Sequence, residues 1–173
     1  MDLISELAEL AMATRLKRLS ERLAQDVNKI YKELDFDFEA KWFLVLELLS
    51  RRKVLSIVDI ADELRLTHPA IVQFVDQMQK AKLITAKKDQ IDGRKRMVCL
   101  TAKGKRMLDE LAPVLALIKQ EIQRLLSQAD HNLLSVLGQI EDALDEENLY
   151  SRIKAHTGEL AGARSKPNAS DEA

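Results

Sequence analysis

Ten basic residues lie between Lys80 and Arg106 with Asp89 and Asp92 alone opposing them, a local excess of eight positive charges in a chain whose net charge is −1. Phosphate is the chemistry such a run addresses, because guanidinium and ammonium groups neutralise phosphate oxygens and displace counterions. Lys87 and Lys88 precede the sequence Asp92-Gly93-Arg94-Lys95-Arg96, and Lys87, Lys88, Lys95 and Arg96 are assigned to phosphate contacts. A carboxylate two residues before an arginine can hold the guanidinium fork in one orientation, so Asp92 is assigned to orient Arg94. Arg94 then suits a narrow, A·T-rich minor groove, where negative potential concentrates. Upstream, Thr67, His68, Pro69, Ala70, Gln73 and Gln77 offer small or polar side chains, and Gln73 has the donor–acceptor pair that matches adenine in a major groove.

The elements that would position these residues follow from spacing. Ser56 stands three residues before Asp59, a weaker form of the capping box, and Ile57, Ile60, Ala61 and Leu64 form one helical face. After a turn at Arg65-Leu66, Thr67 caps a second helix with Pro69 in its first turn, running to about Lys82. Ile71, Phe74 or Val75, and Met78 face its inside; His68, Ala70, Gln73, Gln77 and Lys80 are left outside. Leu83 to Lys88 and Arg96 to Leu100 read as two strands joined through Asp92-Gly93, residue types that tolerate positive φ. A helix held across another by a short turn, with a polar face turned out, is the form that enters a major groove.

With the helix-turn-helix, Asp92-x-Arg94 and Leu100-Thr101-x-x-Gly104 in place, the chain resembles the multiple antibiotic resistance regulator (MarR) family. The likeness covers most of the chain. It implies a mainly α fold with a small β-hairpin wing and a winged helix-turn-helix core over residues 39–104. Long dimerisation helices flank that core at about 3–31 and 102–158. Residues 1–160 would form one domain, and 161–173 a disordered tail. The family likeness also implies a homodimer on a palindromic operator in double-stranded DNA, with a small aromatic or phenolic ligand modulating it. Two positions depart from the family pattern: Lys82 stands where glycine is common, and Gln73 where a basic residue is frequent.

The remaining stretches fit this frame. From Leu3 to Tyr31 apolar residues recur at three- and four-residue steps without Gly or Pro, so one long helix is expected, either as a core helix or as a dimer seam. A strongly apolar helix is expected from Glu39 to about Leu49. Phe36, Phe38, Trp42 and Phe43 are either ordinary core or the wall of a ligand pocket. Thr101 is expected to cap a helix kinked by Pro113, and a further helix starts at about Asp130 and continues through Ile153.

Of 173 residues, 46% are apolar and 32% charged, the composition of a helix-rich globular protein. His68, His131 and His156 are far apart and Cys99 is the single cysteine, so no metal-ligand or disulfide spacing is present, and a cytoplasmic setting without a membrane span is expected. Cys99 lies within an apolar strand and reads as an inert thiol, with redox sensing the alternative. No nucleophile with a base, carboxylate pair or Gly-rich phosphate loop appears, so no catalytic residues, metal or cofactor are assigned. Two functions remain: a sequence-specific transcription regulator, or a winged-helix protein-interaction module that binds no particular DNA.

Overall fold

Ser56 ends a short strand, β1 (Val54–Ser56), and caps the helix after it, α4 (Ile57–Leu64). Its Oγ accepts from the Asp59 N–H at 3.1 Å and donates to Asp59 Oδ2 at 2.6 Å, while the Ser56 N–H donates to the same oxygen at 3.2 Å. The capping box is complete, and the donors it satisfies are ones a helix start leaves unpaired. The α4 helix ends at Arg65 in the left-handed conformation, φ 51°. Helix α5 (His68–Lys80) follows, with Thr67 as its cap and Pro69 in its first turn. Ile57, Ile60 and Ala61 of α4 and Ile71, Val75 and Met78 of α5 are buried in one core, while Leu64 and Phe74 pack at its edge. This computed structural model describes residues 2–89, 92–93, 95–129 and 132–157.

The hairpin strands are β2 (Ile84–Lys88) and β3 (Arg96–Leu100), paired antiparallel from Ile84↔Leu100 to Lys88↔Arg96. Leu83, expected to open the first strand, is instead a fully buried turn residue. Strand β1 has no counterpart in the sequence reading. It pairs antiparallel with β3, Val54 opposite Cys99 and Ser56 opposite Met97, giving the order β1-β3-β2. Three residues are too few for alternation to show, and β1 exists because β3 supplies its partner.

Three expected helices differ at their ends. Residues 3–31 are not one helix: α1 (Leu3–Glu6) and a 3-10 turn (Ala8–Ala11) precede α2 (Met12–Glu33), with Ala8 at φ 45°. Leu3 and Leu10 are 67% and 88% exposed, so the packing that sustains most helices is missing at this break. The helix expected from Glu39 begins as a 3-10 turn (Ala40–Trp42) and continues as α3 (Phe43–Arg52). Helix α5 stops at Lys80, two residues before its expected end, because Lys82 takes φ 61°.

The chain divides into two compact units, residues 1–118 and 119–173. Helix α6 (Ala102–Leu126), with Pro113 inside it, begins in the first and ends in the second. In the second unit the helix expected to run from about 130 to 153 is two: α7 (Leu133–Glu146) and α8 (Leu149–Lys154). Asn148 makes the break, its side chain accepting from the Ser151 N–H at 2.9 Å as a new N-cap. Arg152 returns to the Ala143 and Glu147 carbonyls at 2.7 Å each. The tail expected over 161–173 lies outside the described residues. No helix among the described residues is long and apolar enough to cross a membrane.

Candidate nucleic-acid interface

Thr67 Oγ1 accepts from the Ala70 N–H at 3.4 Å, and Thr67, His68, Pro69 and Gln73 are exposed on the opening turns of α5, with Ala70 half-buried beside them. This end of a helix carries the positive end of the dipole, so it suits a phosphate, while Gln73 is exposed where it can meet a base edge. Gln77 is placed differently. It is half-buried, and its Oε1 accepts from Trp42 Nε1 at 3.2 Å, which leaves its amide N–H groups for an outside partner.

In the hairpin Lys87, Lys88 and Lys95 are exposed, as their assignment to phosphate requires. The loop is closed by Asp89 N–H to Lys95 O at 2.9 Å and Lys95 N–H to Asp92 O at 2.9 Å. Asp92 is exposed, and its N–H donates to Asp89 Oδ1 at 2.8 Å. Arg94, and with it the expected Asp92–Arg94 pair, lies outside the described residues. Arg96, assigned to phosphate by the sequence, also bonds within the protein: its Nη2 donates to Asp76 Oδ1 at 3.0 Å and to Gln79 Oε1 at 3.3 Å, both on α5. Asp76 and Gln79 were not singled out by sequence. The one signal for them was that Asp76 is the single acid in α5, bordering a strongly basic run.

The hairpin is seated by a junction of backbone groups. Leu83 O accepts from Thr101 N–H at 3.0 Å, and Thr101 Oγ1 lies 2.7 Å from Lys82 O and 3.0 Å from Leu83 O while accepting from Gly104 N–H at 3.0 Å. Thr101 therefore caps α6 and also ties it to the α5–β2 turn. A Cβ on Gly104 would sit 2.1 Å from Leu83 O, so only glycine admits this approach. Lys103 Nζ adds a bond to Ala81 O at 2.9 Å. At the other side of the hairpin, Asp59 is held below the usual carboxylate value of 3.8, chiefly by the Ser56 hydroxyl, then by the Ser56 N–H, with the Lys95 charge adding to both.

Residues 36–95, which contain α3, α4, α5 and the first strand of the hairpin, β2, match the model of the MarR family. This segment is similar to the MarR family. No curated protein matches the chain by sequence. Among solved structures, Escherichia coli MarR, as a cysteine-to-serine mutant complexed with operator DNA, superposes with a TM-score of 0.63 at 17% identity, covering 83% of this chain and 99% of that one. PcaV of Streptomyces coelicolor, in complex with its natural ligand, gives 0.61 at 18% identity over 85% and 96% of the two chains. The regulator BldR of Sulfolobus solfataricus gives 0.60 at 23% identity over 84% and 99%. These likenesses establish the fold.

The aromatic residues of the matched segment pack on one another and on Tyr31. Phe38 and Trp42 are buried edge to face at 5.8 Å, Tyr31 meets Phe38 at 5.6 Å and Phe36 at 6.3 Å, and Phe43 is half-buried at the rim of the same core. Burial also pushes the Tyr31 phenol above its ordinary value. Two surface hollows are lined by other residues: one of about 560 Å³ by Met12, Arg15, Leu19 and Arg22 among others, and one of about 400 Å³ by Lys53, Cys99, Lys105 and Leu108 among others. Cys99 is half-buried, its Sγ 3.1 Å from Thr85 Oγ1.

Proposed function

We propose that this chain is a sequence-specific DNA-binding transcription regulator of the MarR type. The observation that carries the reading is the juxtaposition of an exposed, Thr67-capped helix start and a lysine-bearing hairpin, joined by Arg96 just beyond the segment similar to the MarR family. In this reading α5 enters the major groove, with Gln73 on a base edge and Thr67, His68, Pro69 and Ala70 against the backbone. Lys87, Lys88 and Lys95 neutralise phosphates. Arg94, oriented by Asp92, enters the adjacent minor groove. The operator DNA of the Escherichia coli MarR structure and the 23-mer duplex bound to the repressor CouR support duplex DNA as the partner.

The regulator works as a homodimer on a palindrome. Leu3 and Leu10 in the first unit, and Leu134, Leu149 and Tyr150 in the second, leave large apolar side chains in water on a single copy, which a second copy would cover. A small aromatic or phenolic ligand modulates binding, as the ligand complex of PcaV suggests by analogy, and the protein acts in the cytoplasm. No catalysis is assigned to it.

Selection of bound fragments from a genomic pool, followed by a salt titration on the enriched sequence, tests this reading. A regulator yields one palindromic motif, steep salt dependence and a preference of at least about 1,000-fold over random duplex. Absence of any enriched motif would favour the interaction-module alternative.

A further inference from the structure

The guanidinium of Arg96 opens β3 at the base of the hairpin loop, yet it is turned back onto the reading helix. One nitrogen reaches two α5 residues three apart, Asp76 Oδ1 at 3.0 Å and Gln79 Oε1 at 3.3 Å. Residues three apart share a helix face, so α5 offers a two-point socket to a single side chain. Asp76 belongs to the exposed face that also carries Gln73 and Lys80. Beyond Arg96, the loop towards Asp89 is held by the Lys95–Asp92 and Asp89–Lys95 backbone bonds. Pairing of β3 with β1 and β2 fixes the hairpin's root, and neither ladder includes a residue of α5.

We propose that Arg96 and Asp76, assisted by Gln79, form a positioning pair that sets the wing loop at a fixed reach from the reading helix, so that both grooves are met together. Arg96 is thus a positioning residue and not a phosphate ligand. This inference rests on the reading of α5 and the hairpin as the DNA-binding surface. Both partners are partly solvated, with side-chain exposures of 38% and 50%, so the pair adds little to global stability. A solvated pair is worth at most about 1 kcal/mol, which as a coupling corresponds to a change in affinity of roughly 5-fold.

The two roles of Arg96 make opposite forecasts. Arg96→Gln, Asp76→Asn and the charge-swapped double variant Asp76→Lys with Arg96→Glu are compared with the full-length protein on its selected operator. A positioning pair makes each single change weaken binding about 3- to 5-fold, and the swap recovers most of it because pair and net charge are both retained. A phosphate contact instead makes Arg96→Gln reduce the log K against log salt slope by about one unit, lets Asp76→Asn strengthen binding, and leaves the swap weak. Any of those three results overturns the proposal. Amide exchange at Asp92 and Lys95, measured without DNA, separates this from failure of the functional reading. It should quicken in both single variants and recover in the swap; exchange rates unmoved by all three variants would also sink the idea.

Discussion

At Gly104 a hydrogen side chain is all that the neighbouring Leu83 carbonyl leaves room for. The obstacle is backbone held by Thr101, so it has no rotamer to move to. Gly104→Ala should therefore destabilise the protein by about 1–3 kcal/mol or more, read from the urea midpoint. Lys82 is the reverse case. It holds φ 61° with a Cβ, a conformation that costs a non-glycine residue roughly 1–2 kcal/mol, partly offset by the greater unfolded-state freedom of glycine. Lys82→Gly should raise stability by about 0.5–1 kcal/mol and leave the hairpin in place. In the reading surface, Arg94→Ala and Gln73→Ala should fail in different ways. Loss of Arg94 lowers the salt slope by about one unit, whereas loss of Gln73 leaves the slope and relaxes preference at one base pair per half-site by about 1–3 kcal/mol. An unchanged slope for Arg94→Ala would mean that Arg94 makes no contact with DNA.

Among the elements, α4 and α5 were legible because their signals are local. Ser56 and Asp59 are three apart, Ile57, Ile60 and Ala61 recur at helical spacing, and Thr67 and Pro69 stand at one helix start. Strand β1 and the Arg96 anchor were not, because each depends on residues far away in sequence: Val54 pairs with Cys99, and Arg96 meets an acid 20 positions earlier. The break before α8 had a local signal, Asn148, hidden beneath an unbroken apolar stripe. The capping box of α4 makes stability depend on pH. Asp59 has a folded pKa below its ordinary value, so its contribution is full at neutral pH and declines as pH drops below about 4, through the lowered folded value. The stability difference between wild type and Asp59→Asn should thus be constant above about pH 5 and shrink toward pH 3. Ser56→Ala should cost about 1 kcal/mol at neutral pH and less in acid, by thermal melts at both.

For the whole molecule the central expectation is the dimer. If the apolar side chains exposed on α7 and α8 take part in the proposed dimer, truncation after Gln128 should yield aggregated or unfolded protein. A truncated chain that sediments as a folded monomer and binds its operator at full strength would refute that. If two copies present α5 to one face of a duplex, the half-sites lie about one helical turn apart, roughly 10 base pairs between centres. The family likeness in the sequence covered the reader and its flanks, whereas the described structure resolves the flanking helices into shorter pieces, broken near Ala8 with its positive φ and at the Asn148 cap.

The register that sets Val54 opposite Cys99 has one more consequence. The entire helix-turn-helix and hairpin are a single chain loop, shut where β1 meets β3. That clasp is three residue pairs long, and one of its six positions is already a thiol. Val54→Cys would place a second thiol across an antiparallel pair, where Cβ separations of about 4.5–5.5 Å need only a small adjustment to form a disulfide. Closing a loop of roughly 45 residues should stabilise the oxidised protein by up to about 4 kcal/mol. The same clasp also dictates kinetics: α4 and α5 can form from neighbouring residues, but the sheet must wait for the distant ends to meet, so the reader's helices assemble before its wing is secured.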